Sequence, residues 1–275
     1  MNINYVQITK ENLADFSSVL PQNFETAVSR ISIGAYNDEG YVLGAVSLEL
    51  IMVEYVIDWI YVHPEVRRQG IGAWLIQQIL KAVIGIGELF PVVARYEVTE
   101  DDMQMHSFFL SCQDMTTSYS HERYYVTAKD IRGSDTLHRP VSSDLTTSLF
   151  FELQEEQQKK IITMLFSEQN YDVGDYDRWK KLCVPELCRC VFVKNSLVDL
   201  IFIQRLSEDQ LELSFLYGKY PRGLFELLSL TVKDMEMLLP DCDLSFDAMS
   251  KESDNLAKHL FPRAKSVHIY EAQFL

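Results

Sequence analysis

The sequence predicts an α+β fold built from two tandem copies of one arrangement of strands and helices. The chain has 275 residues, enough for one large domain or for two of about 130 residues. Hydrophobic residues make up 47% of it, which is enough for a packed core. Short β-rich runs alternate with helical patterns, and their order begins again after the polar segment 130–147. One continuous mixed domain is the alternative.

The first copy opens with a strand and continues into a hairpin. "INYVQI" alternates like a strand, and "TKENLADFSSVL" predicts a helix with Thr9 as its candidate N-cap. After a second short helix, two β-rich runs flank the turn residues Asn37–Gly40, which predicts a hairpin. "MVEYVIDWIYV" then supplies another strand.

A long helix follows that strand. "GAWLIQQILKAVIG" places Ile71, Leu75, Ile79 and Ala82 on one helical face. "FPVVARYEV" predicts a strand, and "TEDDMQMHSFFLSC" predicts a helix capped by Thr99. "HERYYVTA" is predicted to be the last strand of this copy.

The second copy repeats this order. The predicted boundaries are a first domain over 1–130, a linker over 131–147 and a second domain over 148–275. The strands, in order, are "SLFFEL", "RCVFVKN", "LVDLIFIQRL", "QLELSFLYG", "DLSFDAM" and a closing "SVHIYEAQF". The helices are "QEEQQKKIITMLFSE", "GLFELLSLTVKDMEMLL" and "KESDNLAKHLF".

The charge balance argues against one class of partner. Twenty-five Lys and Arg stand against 40 Asp and Glu, for a net charge of -15. Nucleic-acid binding depends on a basic surface, so no nucleic-acid partner is expected. An acidic surface can attract a cationic ligand such as an amine, although it also serves solubility alone.

Membrane insertion, secretion and metal binding are not expected either. The N-terminal stretch has no basic start followed by an apolar core, and no apolar run reaches the roughly 20 residues that span a bilayer. Five cysteines favour reduced thiols in a cytoplasmic protein. Cys183, Cys188 and Cys190 cluster, but no His or fourth Cys lies at zinc spacing, so buried thiols are predicted and no metal site.

The tripeptide Gly-Ile-Gly occurs twice between residues 70 and 87, in two different settings. The first copy, Gly70–Gly72, lies between a strand and a helix and follows Arg67 and Arg68. The first amides of a helix have no partner inside it, and the helix dipole adds positive potential there. Glycines allow an anion to approach the backbone, and arginines add donors for phosphate oxygens. An anion site is therefore predicted at Gly70.

The second copy, Gly85–Gly87, predicts a helix C-cap and a turn, since no arginines precede it and no helix follows. Other phosphate loops do not fit the first copy. A dinucleotide fingerprint needs a third glycine where this chain has Leu75, and a nucleotide P-loop needs Gly-Lys-Ser or Gly-Lys-Thr.

"VHPEVRRQGIGAWLI" resembles the signature of GNAT N-acetyltransferases, Val-x-Pro-x-x-Arg-x-x-Gly-x-Gly, met here by Val62, Pro64, Arg67, Gly70 and Gly72. The element order over the first 128 or so residues also resembles that fold, a mixed, mostly antiparallel sheet flanked by helices. The second half resembles it by element order only.

The resemblance implies acetyl-CoA as cosubstrate. It implies that loop amides hold the pyrophosphate, that the strand end pairs with the pantetheine arm, and that a backbone N–H near Ile60 faces the developing oxyanion. The thioester would enter where "VIDWIYV" and "PVVARYEV" diverge. The implied binding residues are Ile60, Tyr61, Val62, Arg67, Arg68, Gln69, Gly70, Ile71, Gly72 and Ala73.

Direct attack by an amine needs a base, because an alkylamine is protonated near neutral pH. Asp58 and Glu54 are the candidates: they lie four residues apart on the strand before the loop, and so on one face. In the family that this chain resembles, some members carry a catalytic acidic residue, often acting through a water, at the position of Asp58. Alternatively, Asp58 only hydrogen-bonds a neighbouring loop.

The acid that protonates the leaving group is often a tyrosine on the helix after the next strand. This chain departs from that pattern, because Leu110 takes the tyrosine position. Tyr96, His106 or Tyr119 could substitute.

The second half lacks the glycine pair. Only Gly223 enters its helix and Arg222 stands alone, so a degenerate copy that does not bind acetyl-CoA is expected. The leading function is N-acetylation of a small-molecule or peptide amine. The alternatives are a CoA-binding sensor or interaction module without turnover, and thioester hydrolysis. A monomer or a homodimer is expected.

Overall fold

Residues 2–27, 29–51, 53–87, 90–138, 145–169 and 180–274 are described by the computed structural model of this chain. They form two compact units. Unit 1 comprises Met1–Ser120 and His268–Leu275, and unit 2 comprises His121–Val267.

Unit 1 holds a mostly antiparallel sheet with helices. Its strand order is β1-β2-β3-β4-β5-β12, and only the β4–β5 pair is parallel. The strands are β1 (Ile3–Gln7), β2 (Arg30–Asn37), β3 (Val42–Ile51), β4 (Glu54–Val62), β5 (Val92–Val98), the start of β6 (Thr116–Val126) and most of β12 (Lys265–Phe274). The helices are α1 (Ile71–Ile86) and α2 (Gln104–Ser111).

Unit 2 repeats this plan. Its order is β7-β8-β9-β10-β11-β6, and only the β10–β11 pair is parallel. The strands are β7 (Thr146–Leu149), β8 (Arg189–Val193), β9 (Ser196–Arg205), β10 (Gln210–Gly218) and β11 (Asp243–Ala248), with the end of β6. The helices are α3 (Ala128–Arg132), α4 (Glu155–Gln169), α5 (Pro221–Leu238) and α6 (Lys251–Leu260).

The closing strands differ from those that the sequence predicts. "HERYYVTA" was expected to close the first copy, but its residues 122–126 pair with β11 of unit 2. "SVHIYEAQF" was expected to close the second copy, but residues 268–274 pair with β5 of unit 1. The alternation of apolar and polar residues along a strand specifies which of its faces is buried, but it does not specify which strand pairs with it. The compact units therefore differ from the predicted boundaries at 130 and 148, and part of the predicted linker, 139–144, lies outside the described residues.

Helix α1 covers one face of the unit 1 sheet, which we call the α1 face. Ile71, Leu75 and Ile79 are buried there as predicted, and Ala82 is half-buried. Each such Leu or Ile contributes about 1.5–3 kcal/mol by burial. The segment 8–24 covers part of the other face through an apolar cluster that includes Phe16 and the partly buried Trp59.

Three helix predictions in unit 1 need correction. "TKENLADFSSVL" forms only a 3-10 helix, Leu13–Phe16, and in place of the second short helix Phe24 N–H donates to Pro21 O in a turn. Asn12 explains the first difference, because its side chain accepts from Thr9 N–H and donates to Gln7 O, which fixes a turn. Thr99 likewise closes a turn by accepting from Asp102 N–H, and α2 starts later, at Gln104.

Candidate functional site

The site lies in unit 1, in the loop that joins β4 to α1. A 3-10 turn, Pro64–Val66, follows the strand. Arg68 (φ 62°) and Gly70 (φ 83°) are both left-handed, and Gly70 is the N-cap of α1. A side chain at Gly70 would strain that conformation, whereas Arg68 adopts it without the help of glycine.

The start of α1 offers free amides beside open space. Trp74 N–H donates to Gly70 O at 2.9 Å, so the amides of Ile71, Gly72 and Ala73 precede the first bonds inside the helix. A Cβ on Gly70 would meet no atom within 4 Å. The helix dipole makes this opening electropositive, which suits a phosphate group.

A groove of about 800 Å³ opens at this point on the α1 face. One wall consists of the end of β4 and the start of α1, and the other consists of α2 and the loop before it. The predicted binding residues that line it are Ile60, Tyr61, Val62, Arg67, Arg68, Gly70, Ile71, Gly72 and Ala73. Gln69 is exposed and is not part of the lining.

Gly72 fits the groove for a reason that the sequence pattern does not show. A Cβ there would come within 2.8 Å of the Phe108 ring, so the missing side chain lets α1 approach α2. Phe108 itself lines the groove, together with Met103 and Met105. No spacing in the sequence points to these three residues, because they belong to a different helix and the loop before it.

Arg67 links the loop to strand β4. Its Nε donates to Val62 O at 2.9 Å, and its guanidinium lies 5.5 Å from the ring centroid of Tyr61. The Nε–H is thus used within the protein, and the terminal N–H groups remain for a ligand. Arg67 therefore both fixes the loop against β4 and presents charge to the groove.

The second Gly-Ile-Gly ends α1, as predicted. The helix stops at Ile86, and Gly87 is its left-handed C-cap (φ 80°), with its N–H donating to Ile84 O at 3.1 Å. A glycine is needed there because an L side chain is strained at that φ.

Strands β4 and β5 separate close to the groove. Their parallel pairing has two register pairs, Tyr55 with Val92 and Val56 with Val93. Beyond them β4 carries a bulge at Asp58, because Ile57 pairs with Leu48 and Trp59 pairs with Ser47. A bulge bends its strand and increases the local twist, which accounts for the separation. A gap therefore opens between the two strands.

The predicted base candidates do not line the groove. Asp58 Oδ2 lies 2.7 Å from Arg30 Nη1. The other terminal nitrogen of Arg30, Nη2, lies 2.7 Å from the buried carboxylate of Glu49. Glu54 Oε2 lies 2.8 Å from Arg95 Nη2. Side chains of β2 and β4 alternate across the sheet, which places both pairs on the face opposite α1.

Two polar side chains meet on the α1 face of β5. Tyr96 Oη lies 3.1 Å from His106 Nδ1 of α2, and the Tyr96 ring stacks on Phe109 at 5.0 Å. Burial, reinforced by Tyr270, raises the pKa of Tyr96 to about 12. Leu110, at the position where the family often has a tyrosine, is 61% exposed.

Two features are absent from the described part of the chain. None of its His, Cys, Asp and Glu side chains form a group of three that could hold a metal ion. None of its helices is both long and apolar enough to cross a bilayer.

The chain is similar to known acetyltransferases. The sequence model of the Acetyltransferase (GNAT) family matches residues 7–113. No protein with a curated description matches the chain in sequence.

Solved structures match nearly the whole chain. A tandem GNAT protein from the clavulanic acid biosynthesis pathway (without AcCoA) has 12% identity and a TM-score of 0.63, over 100% of this chain and 99% of that one. A GCN5-related N-acetyltransferase from Kribbella flavida has 12% identity and a TM-score of 0.56, over 98% and 71%. One from Sphaerobacter thermophilus has 14% identity and a TM-score of 0.53, over 96% and 84%.

At these identities the structures establish the fold, and the family match over 7–113 covers the groove and its loop. Residues 7–113 therefore match the GNAT acetyltransferases in sequence, which supports an acyltransferase, and the chain has the fold of tandem GNAT proteins.

Proposed function

We propose that the chain transfers an acetyl group from acetyl-CoA to a primary amine of a small molecule or peptide. The observation that carries this proposal is the groove at the start of α1, with free amides beside the open space at Gly70. Each charge-assisted hydrogen bond to a phosphate oxygen contributes roughly 1.5–3 kcal/mol, so three or four amides and the two arginines suffice for a pyrophosphate.

Acetyl-CoA would lie along the groove, with its pantetheine arm beside Ile60–Val62 at the end of β4. The groove is large enough for such an arm, and its lining includes Phe108 and Met105 as apolar wall. The acetyl group would reach the gap between β4 and β5. A backbone N–H near Ile60 would stabilise the oxyanion that forms there.

The amine would approach from the opposite face, where Asp58 and Glu54 lie. Asp58 is the better candidate base, because it occupies the bulge beside the gap. Its Oδ2 is held by Arg30, so Oδ1 is the atom free to accept a proton from the amine, directly or through water. Glu54 lies two residues before Val56, the last β4 residue that pairs with β5, and it forms an ion pair with Arg95.

A CoA-binding module without turnover is the second candidate. One observation favours it: both candidate carboxylates are engaged in ion pairs with arginine. Under this alternative the groove and its loop keep their ligand, and no amine is acetylated.

The test is release of CoA thiol from acetyl-CoA across a panel of amines. We expect amine-dependent turnover by the wild type, loss in Arg67→Ala/Arg68→Ala, and a kcat lower by about 100-fold or more in Asp58→Asn. Arg222→Ala in unit 2 is the matched control and should leave turnover unchanged. Calorimetric binding of acetyl-CoA without turnover on any amine would favour the silent module. Absence of binding would refute both.

A further inference from the structure

The face of the unit 1 sheet opposite α1 carries an ion network on each side of the gap between β4 and β5. On the β3 side, the guanidinium of Arg30 lies 2.7 Å from the carboxylates of Glu49 and Asp58. It also lies 5.0 Å from the centroid of the Phe24 ring. We call Arg30, Glu49 and Asp58 the Arg30 network. Both terminal nitrogens of its guanidinium are used within the protein.

The second network lies on the β12 side of the gap and consists of Arg95, Glu54 and Glu271; we call it the Arg95 network. Arg95 Nη2 lies 2.8 Å from Glu54 Oε2, and Arg95 Nε lies 2.8 Å from Glu271 Oε2. Glu271 directly opposes Arg95 across the antiparallel pair of β5 and β12. The other oxygen of each carboxylate, Oε1, takes part in neither contact, and both side chains are partly exposed. These two oxygens can therefore accept from a ligand.

The strand register brings the two networks to the place where β4 and β5 separate. Arg30 pairs with Glu49 across β2 and β3, and Glu49 pairs with Val56 of β4. Val56 and Val93 are the last register pair of β4 and β5. Arg95 lies two residues beyond Val93 and so on the same face. The two networks therefore flank the opening through which the amine would approach.

Each network has one carboxylate more than its arginine neutralises. Together they hold two arginines against four carboxylates, which leaves a formal excess of two negative charges, one on each side of the gap. A carboxylate or phosphate on the acceptor would meet two arginines that are already paired and a net negative field. An ammonium group would be attracted to the same field.

We propose that the acceptor is a linear aliphatic diamine whose second amino group binds, protonated, to Glu54 and Glu271 while the first reacts beside Asp58; this inference rests on the proposed function. The reacting nitrogen bonds to the acetyl carbon and gives its proton to Asp58. The electron pair of the broken C–S bond leaves with the CoA sulfur. The second amine, with a pKa of about 10.4 as in lysine, keeps its proton and orients the acceptor.

Three acceptors with carbon chains of equal length test this charge requirement. Cadaverine has two amines, pentylamine has one, and δ-aminovalerate has an amine and a carboxylate. At saturating acetyl-CoA, the wild-type kcat/KM should be about tenfold higher for cadaverine than for pentylamine, through KM, because the second amine adds a hydrogen-bonded ion pair. δ-Aminovalerate should be the poorest acceptor. Equal kcat/KM for cadaverine and pentylamine would overturn the inference.

Substitutions of Glu271 test the Arg95 network and leave both candidate bases in place. Glu271→Gln makes the network formally neutral and should reduce the preference for cadaverine over pentylamine to about threefold or less. Glu271→Lys makes it positive, so δ-aminovalerate should become a better acceptor than cadaverine. Glu39→Lys, the matched control, makes the same charge change in the exposed turn between β2 and β3 and should keep the wild-type order.

A change of order only at Glu271 separates a binding role from a purely structural one, because loss of fold would lower kcat/KM for all three acceptors alike. An unchanged order in Glu271→Lys would overturn the inference. If wild type acetylates other amines but prefers neither cadaverine nor a second diamine, putrescine, over the matching monoamine, the inference fails and the proposed function stands. If wild type acetylates no amine at all, both fail.

Discussion

The same junction between a strand and a helix occurs in both units, but the residues that connect the strand to the helix differ. Strands β4 and β10 each have nine residues and a bulge at the fifth, Asp58 and Ser214. In unit 1 eight residues, 63–70, lead to α1, whereas in unit 2 two residues, 219–220, lead to α5. Unit 2 thus has the strand and the helix of this junction without the loop that carries the arginines and Gly70.

A side chain of unit 2 itself also occupies the start of α5. The residue opposite the end of the strand is Gly44 in unit 1 and Asp199 in unit 2. Asp199 is fully buried, and its Oδ1 accepts from Tyr220 N–H at 3.0 Å. A carboxylate of the chain thus lies at the helix start, where unit 1 leaves open space. This difference supports the expectation that unit 2 does not bind acetyl-CoA.

The gap between the parallel strands differs as well. β10 and β11 have four register pairs, whereas β4 and β5 have two. Val92 of β5 and Leu244 of β11 are equivalent, because each pairs with the second residue of the neighbouring parallel strand. Four residues further along, Tyr96 in unit 1 therefore corresponds to Ala248 in unit 2. The opening between these strands is therefore narrower in unit 2, which has an alanine where unit 1 has the Tyr96 hydroxyl. We therefore expect a site only in the unit where the loop, the gap and these side chains occur together.

The largest expected effect comes from the arginines of the two junctions. Arg67→Ala/Arg68→Ala should weaken acetyl-CoA binding by 100-fold or more, since about two charge-assisted hydrogen bonds are lost. Arg222→Ala should change the affinity less than twofold, as measured by calorimetry. Equal effects of the two changes would mean that unit 2 also holds the ligand.

The glycines of the two junctions should respond in opposite ways. Gly223→Ala places a Cβ in steric overlap with Asp199 Oδ2 and should lower the free energy of unfolding by about 2 kcal/mol. Gly72→Ala meets the edge of the half-buried Phe108 ring, which can move, so it should cost less stability and weaken acetyl-CoA binding instead. Urea unfolding and calorimetry on both variants measure this, and the reverse pattern would contradict it.

Asp199 should make unit 2 sensitive to pH. Burial raises the pKa of its carboxyl, against opposing backbone hydrogen bonds from Tyr220 and Lys219. The folded chain therefore holds this proton to higher pH than the unfolded chain, so the stability contribution is present at low pH and is lost as pH rises through the folded-state pKa.

Asp199→Asn removes this loss and should stabilise the chain by about 1 kcal/mol at pH 7, with no gain below about pH 3.5. Urea unfolding between pH 3.5 and 8 measures the difference. A less stable Asn variant at pH 7 would mean that the charge at the start of α5 contributes more than its burial costs.

The smallest effects should separate the two glycines of the second Gly-Ile-Gly. Gly85 lies inside α1 with open space around it, so Gly85→Ala should add about 0.5–1 kcal/mol of stability. Gly87→Ala should remove about 1 kcal/mol, because the left-handed C-cap strains an alanine. Neither change should alter acetyl-CoA binding, and a binding defect in either would mean that this tripeptide also contacts the ligand.

Local signals in the sequence predict much of this architecture. The two Gly-Ile-Gly tripeptides are assigned to a helix start and a helix stop by their neighbours alone, and the structure has them there. Most strands and helices follow from periodicity in the same way. The first helix fails because the side chain of Asn12 competes for the backbone, an effect that periodicity does not contain.

The remaining features depend on contacts between distant segments. The pairing of β6 with β11 and of β12 with β5 joins residues more than 100 positions apart, and no local pattern selects those neighbours. The ion pair of Asp58 with Arg30 and the contact of Tyr96 with His106 likewise appear only in the folded chain. The sequence therefore names the candidates and the fold decides which of them meet.

The most direct test of this account is the number of acetyl-CoA molecules bound per chain, measured by calorimetric titration of the full-length protein. The account predicts one site per chain, lost in Arg67→Ala/Arg68→Ala and retained in Arg222→Ala. Two sites per chain, or one site that survives the double substitution, would contradict the contrast between the two junctions.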